Sequence, residues 1–268
     1  MDAKACVAAQ IIAVNNLISS DRVPKSALSL LFVVGEETGG DGMRAANALH
    51  LAPSAIVFGE PTEGKLASGH KGLLGFTLHA KGKAAHSGYP WLGRSANEVL
   101  VKALAALMNV AGELPRSEKY GSTTVNIGRI EGGVAANVIA ETASASIAVR
   151  LAAGTPNESR TKIADAVKAA VAEFDQDDGE EVIDIEWTSE GYGPVDIDAD
   201  VDGFETITVN YGTDIPNFEN FAGKNQKRYL YGPGSILVAH SDHEALMAEE
   251  LLKAVKDYEK LVLHSLNK

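Results

Sequence analysis

Apolar residues follow two regimes along the chain. Toward both ends they form continuous runs or helical stripes, and in the middle they alternate with polar residues. Residues 28–34, Leu-Ser-Leu-Leu-Phe-Val-Val, are a continuous run stopped by Gly35, the pattern of a strand buried on both faces of a parallel sheet. Residues 55–58, Ala-Ile-Val-Phe, read as a second such strand, and the run 235–239 leads to His240 in the same way. Val7, Ile11, Val14 and Ile18 have helical spacing and predict a helix over 2–19 with that set as its packed face. Cys6 lies near this face and reads as packing. A helix with no strand before it is unusual in a doubly wound sheet. A short helix is expected over 43–50. A last one over 245–263 is expected to bury Met247, Leu251, Val255, Tyr258 and Val262.

Between these ends the period changes. Residues 76–82 and 123–130 alternate, and so do 143–151, where Ala143, Ala145, Ile147, Val149 and Leu151 share one side. A helix carrying Leu100, Leu104, Leu107 and Ala111 on one face falls between the first two strands. Thr155-Pro156-Asn157-Glu158 is a capping box with proline at the first helical position. It opens a helix with Ile163, Val167, Val171 and Phe174 facing inward, and 182–187 closes the set as a strand. The order β-α-β-β-α-β is the split ferredoxin-like unit, and alternation implies a sheet covered on one side. The expected organisation is a first domain in two parts, 1–70 and 189–268, with a lid or dimerisation domain inserted at 71–188.

Composition narrows the function. The chain has 268 residues, 45% of them hydrophobic, enough for two domains with real cores. A net charge of −12 argues against a nucleic-acid partner, which needs basic patches, and against an anionic membrane surface. No apolar run approaches the length of a membrane-spanning helix. The opening Met1-Asp2-Ala3-Lys4 does not read as a signal peptide. Cys6 is the single cysteine, so no intrachain disulfide forms. Asn157-Glu158-Ser159 is a glycosylation sequon of weak weight.

The chemistry gathers at the ends of the expected strands, where open α/β sheets bind ligands. Residues 35–42 read GEETGGDG. The glycines suggest a phosphate cradle, but Glu36, Glu37 and Asp41 would repel an anion, and no Gly-Lys-Ser/Thr follows. Adjacent carboxylates suit a cation better, one as ligand and one as base; a solvated acidic turn is the other reading. Glu60 stands after the second strand and His240 after the last run. Together with Asp2 at a helix start, they offer oxygen and nitrogen donors suited to zinc, and a bridging carboxylate would allow two metals to share the site. A lone His240 before a helix would more often be a structural or surface histidine. Residues 198–203, Asp-Ala-Asp-Val-Asp-Gly, imitate the start of a calcium loop, but its twelfth position is Val209 where a bidentate glutamate is needed. An acidic loop is the simpler reading.

These residues resemble the co-catalytic zinc hydrolases that include acetylornithine deacetylase, succinyl-diaminopimelate desuccinylase, aminoacylase and glutamate carboxypeptidase. Asp2-Ala3-Lys4-Ala5 is similar to the end of the family's G-x-G-x-x-D-x-K-[GA] segment, GEETGG to its acidic pair, and Gly59-Glu60-Pro61-Thr62 to its G-E-P-[ST] segment. Residues 82–87, GKAAHS, resemble the lid's G-x-x-A-H-S. Residues 132–139, GGVAANVI, resemble its G-G-x-x-x-N-V-I, and residues 232–240 resemble the closing glycine loop and histidine. The match runs over nearly the whole chain in order. The wording GEETGGDGM and GHKGLLGF is similar to fungal secreted carboxypeptidase-like members.

The resemblance implies an α/β fold: a zinc-peptidase-like mixed sheet with helices on both faces, plus the inserted ferredoxin-like lid. It implies hydrolysis of amide bonds in N-acyl amino acids or at peptide C-termini, with Glu36 as catalytic base. Asp2, Glu37, Glu60 and His240 would bind two Zn2+ per subunit, with Co2+ able to substitute. It further implies a homodimer through the lid, with His86 reaching a substrate in the partner subunit while Asn137 and Gly234 position that substrate.

Two departures qualify this. The family carries an H-x-D segment upstream of the bridging Asp, and in this chain only Met1 precedes Asp2. The expectation is therefore a truncated member that keeps Asp2, Glu37 and His240 for one metal and has a damaged second site. Asp2 would lie on a fraying terminus, and 28–34 would have an uncovered edge or face. The rival expectation is an inactive chain that only dimerises or binds. The lesser departure is Ala148, where many relatives carry Asp in D-x-R.

Overall fold

The computed structural model describes residues 1–175, 181–223 and 225–267. The chain divides into two units, Met1–His70 with Val195–Lys268, and Lys71–Pro194. In chain order the first unit supplies α1 (Asp2–Ser19), α2 (Asp41–Ala46), β1 (Ala55–Phe58) and β2 (Leu66–His70). The second supplies β3 (Gly72–Lys81), α3 (Ala96–Ala111), the short pair β4 (Arg116–Ser117) and β5 (Gly121–Ser122), β6 (Thr124–Gly132), β7 (Thr142–Leu151), α4 (Pro156–Val171) and β8 (Ile183–Trp187). The chain returns to the first unit with β9 (Val195–Asp196), β10 (Thr206–Val209), β11 (Lys227–Leu230) and α5 (Ala248–Ser265). The return comes later than residue 188 because the chain after β8 stays bonded to β3. Thr188 N–H donates to Gly75 O, and Leu73 and Tyr192 exchange backbone bonds, all at 3.0 Å.

In the first unit β1 and β11 pair in parallel, with Phe58 opposite Leu230. β2 lies between β10, parallel to it, and β9, antiparallel. Neighbouring residues on these strands point to opposite faces. Leu66, Tyr229 and Tyr231 therefore pack with Ala9, Ala13, Ala254, Tyr258 and Leu261 of α1 and α5. Ala67, Phe58 and Leu230 pack with Met43, Ile215 and Phe218 on the other side. The unit is α/β, with mixed strand pairing and helical residues on both faces.

Four expectations change here. First, residues 28–34 are not a strand, and 29–33 have no backbone ladder partner among the described residues. Leu31 and Val33 pack against the core, while Phe32 and Val34 face outward, Val34 at 80% exposure. An apolar run supplies the tendency to form a strand, but a strand exists only where another pairs with it. Second, the buried face of α1 is Ala5, Cys6, Ala9, Ala13 and Leu17, while Ile11 and Ile12 are exposed. The helix lies close to its neighbours, since a side chain at Gly59 or Gly232 would collide with Cys6. Close approach selects small residues for the inner face. Third, residues 235–240 form turns with Leu237 exposed, and Met247 precedes α5 and is exposed. Fourth, the acidic loop at 198–203, expected to be solvated, is bonded to the protein's own side chains. Lys227 Nζ lies 2.8 Å from Asp198 Oδ1 and 2.7 Å from Asp200 Oδ2, and Tyr229 OH donates to Asp200 at 3.0 Å.

The second unit is a four-stranded antiparallel sheet in the order β6-β7-β3-β8, with α3 and α4 packed on one face. Ala143, Ala145, Ile147, Val149 and Leu151 are all buried. They meet Leu100, Leu104 and Leu107 of α3 and Ile163, Val167 and Val171 of α4. Both capping-box bonds form at α4: Glu158 N–H donates to Thr155 Oγ1 at 3.3 Å, and Thr155 N–H donates to Glu158 Oε2 at 2.7 Å.

Candidate metal centre

Three segments of the first unit bring their acidic and imidazole groups together. Asp2 sits in the first turn of α1, held by its N–H donating to Glu244 Oε1 at 3.2 Å and by the Met1 ammonium pairing with the same carboxylate. The start of α1 is thus tied down rather than frayed.

Glu36 and Glu37 lie in the tight turn Glu36–Thr38, flanked by Gly35 at φ +78° and Gly39 at φ +117°. Gly40 N–H closes the turn onto Gly35 O at 2.7 Å. Gly40 has φ +79°, and its α-carbon leaves no room for a side chain beside Asn217 and Asp214. The left-handed φ at Gly35, Gly39 and Gly40 favours glycine at each, and the loop they build leaves Glu37 exposed and Glu36 half-buried.

His240 occupies a turn with φ +58°, the left-handed region that a non-glycine residue enters at a cost. Its Nε2 lies 3.1 Å from Asp2 Oδ2 and 2.8 Å from Glu37 Oε1. One donor atom from each of Asp2, Glu37 and His240 falls within 4.8 Å of the others. Asp2 is the sheltered member at 19% side-chain exposure, against 62% for Glu37 and 61% for His240. Two carboxylate oxygens and an imidazole nitrogen, open on one side, are a donor set that fits zinc.

Glu60 follows β1 and is half-buried. Its segment is joined to the glycine loop that follows β11. Thr62 N–H donates to Gly232 O at 3.2 Å, Gly232 N–H to Thr62 Oγ1 at 3.0 Å, and Glu63 N–H to Gly234 O at 2.8 Å. Gly234 has φ +81° and packs against Met1. Glu60 stands outside the three-residue cluster but within its electrostatic field.

The carboxylates raise one another. Burial, then the charge of Asp214, pushes Glu36 up to about 7. Burial, then Glu36, Asp2 and Glu37, pushes Glu60 up to about 9. Asp2 is raised by burial and then by Glu37, and the hydrogen bond and charge of Glu37 raise His240. Surplus negative charge of this kind is relieved by a bound cation. It also sets a pH dependence. A carboxyl with a raised folded-state pKa keeps its proton where the unfolded chain has lost it, so stability falls as pH rises. His240, raised as well, loses its contribution in the same direction. The metal-free protein is expected to have its highest Tm near about pH 5 and to lose stability through about pH 7 and toward 9, from Glu36 and then Glu60. Glu60→Gln should flatten the decline. A metal-free Tm that climbs over this range contradicts the assignment.

His86 and Asn137 lie in the second unit, both exposed. Their segments are joined by Ser87 N–H donating to Asn137 O at 3.0 Å, and His86 and Val138 are partners in an isolated antiparallel bridge. Cys6 is buried and pushed up to about 12, which makes its thiol inert.

Sequence reasoning missed Asp214, Glu244 and Tyr211. Asp214 is buried and backs the Glu36 loop, Glu244 holds the start of α1, and Tyr211 OH donates to Pro61 O at 2.9 Å beside Glu60. None belongs to a patterned segment. The one available hint was that acids and a tyrosine fall in turns of the same returning segment as His240.

Residues 68–178 match the peptidase dimerisation domain of the M20 peptidases. The chain is 53% identical over 275 residues to a probable carboxypeptidase of Aspergillus flavus, covering 98% of this chain and 63% of that protein. It is 50% identical to a peptidase M20 domain-containing protein of Sordaria macrospora, covering 99% of this chain and 59% of that one. The chain thus spans under two thirds of these relatives' length. The crystal structure of aminopeptidase PepT from Bacillus cereus shares the fold, with a TM-score of 0.70 at 20% identity over 97% of this chain and 70% of that one. The chain is thus similar over nearly its whole length to M20 peptidases, the metallohydrolase group that its motifs resemble, and residues 68–178 carry that family's dimerisation domain. Members of that family use zinc or similar metals.

Proposed function

We propose that the protein is a metal-dependent hydrolase of amide bonds, acting on N-acyl amino acids or peptide C-termini. The observation that carries this reading is the meeting of Asp2, Glu37 and His240, from distant parts of the sequence, within 4.8 Å. These three would hold one zinc, and Glu60 is the ligand available toward a second. When bound, zinc supplies Lewis acidity toward a carbonyl and toward water.

The chain's own residues supply the rest. Glu36, raised to about 7, can take a proton and return it to a leaving amine near neutral pH. Gly234 and Asn137 would position the substrate. His86 Nδ1 accepts from Gly88 N–H at 3.0 Å, so the ring proton sits on Nε2 and is offered outward to a carbonyl oxygen. The name of the Aspergillus relatives, probable carboxypeptidase, supports a peptide C-terminus as one substrate class.

A homodimer through the lid is part of the proposal. β6 is the edge of its sheet and carries exposed Ile130, and α3 presents exposed Val101 and Met108. A free edge beside apolar helix positions is a surface that a second copy can cover.

Release of amine from N-acetyl amino acids and short peptides tests the reading, with sedimentation measured on the same sample. Turnover should require zinc, stop with a chelator and return when zinc is restored. A zinc-loaded dimer without turnover would contradict hydrolysis and leave a dimeric binding protein.

A further inference from the structure

His86 stands in a strip of exposed aromatic and apolar side chains that no catalytic role requires. Its ring meets Tyr89 edge-on at 5.9 Å between centroids, and Tyr89 meets Trp91 edge-on at 5.6 Å. On the other side His86 pairs with Val138 across an isolated antiparallel bridge, so the two side chains share a face. Tyr89 and Trp91 are 53% and 74% exposed, and Val138 is 37% exposed. A single exposed hydrophobe is ordinary, but a contiguous row marks an interaction site.

The strip is rigid. Tyr89 N–H donates to His86 O at 2.9 Å, Leu92 N–H to Tyr89 O at 3.0 Å and Gly93 N–H to Pro90 O at 3.2 Å. Lys83 and Arg94 pair across the base of the loop at 2.7 and 3.0 Å. Gly93 leaves no room for a side chain beside Ala85 and Ile139, so the loop is packed down onto its support. Aromatic rings held at the surface by their own loop are organised before any ligand arrives, which lowers the entropy cost of binding.

The chemistry of the strip selects its ligand. The Nε2–H of His86 is a fixed donor in the middle of an apolar row, and among the described residues it has no partner. A few polar groups set in an apolar lining are the usual make-up of a small-molecule site. An amino-acid residue with an aromatic or branched side chain beside a carbonyl or carboxylate oxygen satisfies both parts. We infer that Trp91, Tyr89 and Val138 bind the apolar side chain of the substrate next to the oxygen that His86 holds, and so determine specificity. This rests on the hydrolase reading above and adds the substrate class, apolar N-acyl amino acids and peptides with apolar residues at the scissile bond.

Trp91 and Trp187 are the chain's two tryptophans, so Trp187→Phe leaves Trp91 as the sole indole reporter. Titrating that variant with N-acetyl-L-phenylalanine should shift the Trp91 emission to the blue at saturation. N-acetyl-L-alanine should bind about tenfold more weakly, the size of an aromatic contact. In turnover, Trp91→Ala should lower kcat/KM for the phenylalanine substrate by about tenfold relative to the alanine substrate. Trp91→Phe should retain most of the preference.

Emission blind to both ligands, or equal binding of the two, overturns the inference. So does a shift that follows protein concentration alone, which would make Trp91 a contact between copies. Zinc-dependent turnover with no side-chain preference would sink the strip and keep the hydrolase. A Trp91 response to phenylalanine without turnover would keep the strip and sink the hydrolase.

Discussion

Glu36→Gln is expected to lower kcat by roughly a hundredfold to ten-thousandfold while leaving zinc bound, the range over which a positioned general base acts. The amide preserves the shape of the side chain and the fold of the Gly35–Gly39 turn but cannot accept a proton. Glu36 offers no atom to the Asp2, Glu37 and His240 cluster, so zinc stoichiometry should not change. Its raised pKa of about 7 arises first from burial and then from Asp214. In the wild type, the limb of the pH–rate profile set by this base should be absent from the variant. A variant with wild-type turnover would remove Glu36 from the chemistry. One that lost zinc together with activity would show that it acts as a ligand.

The second unit was the most legible part of the chain. Its residues alternate because its sheet has one wet and one dry face, so Ala143 to Leu151 announce both strand and orientation. The capping box at Thr155–Glu158 is a local device that needs no partner to be recognised. The first unit was harder because its strands depend on neighbours. Residues 55–58 pair with β11, and residues 28–34, with a stronger apolar run, pair with no strand among the described residues. The inner face of α1 was misread because close packing against Gly59 and Gly232 calls for alanine and cysteine, which hydrophobic periodicity underweights.

At the site, the short motifs marked Asp2, Glu36, Glu37, Glu60 and His240, and the fold brings three of them into contact. The motifs did not show that His240 is held by a strained turn rather than a strand end. They also could not reveal Asp214 and Glu244, whose importance comes from where the returning chain passes. Such supporting residues act through distance and burial, and neither is written in a local pattern.

His240→Ala is the other change expected to have a large effect. The imidazole is the sole nitrogen donor of the cluster, and without it Asp2 and Glu37 are two carboxylates that repel each other across an open face. Removing even an outer-sphere partner of a metal ligand weakens binding by roughly 10–100-fold, so loss of a direct ligand should exceed about a hundredfold. Zinc must also displace the proton that Glu37 helps His240 to hold, so binding should release protons and tighten as pH rises. The direct test is a calorimetric zinc titration of the wild-type chain and of His240→Ala, in two buffers of different ionisation enthalpy. The predicted result is saturable zinc binding with proton release in the wild type and more than about a hundredfold loss of affinity in the variant. Equal affinity in the two proteins, or no zinc binding in the wild type, would contradict the assignment of Asp2, Glu37 and His240 as a metal centre.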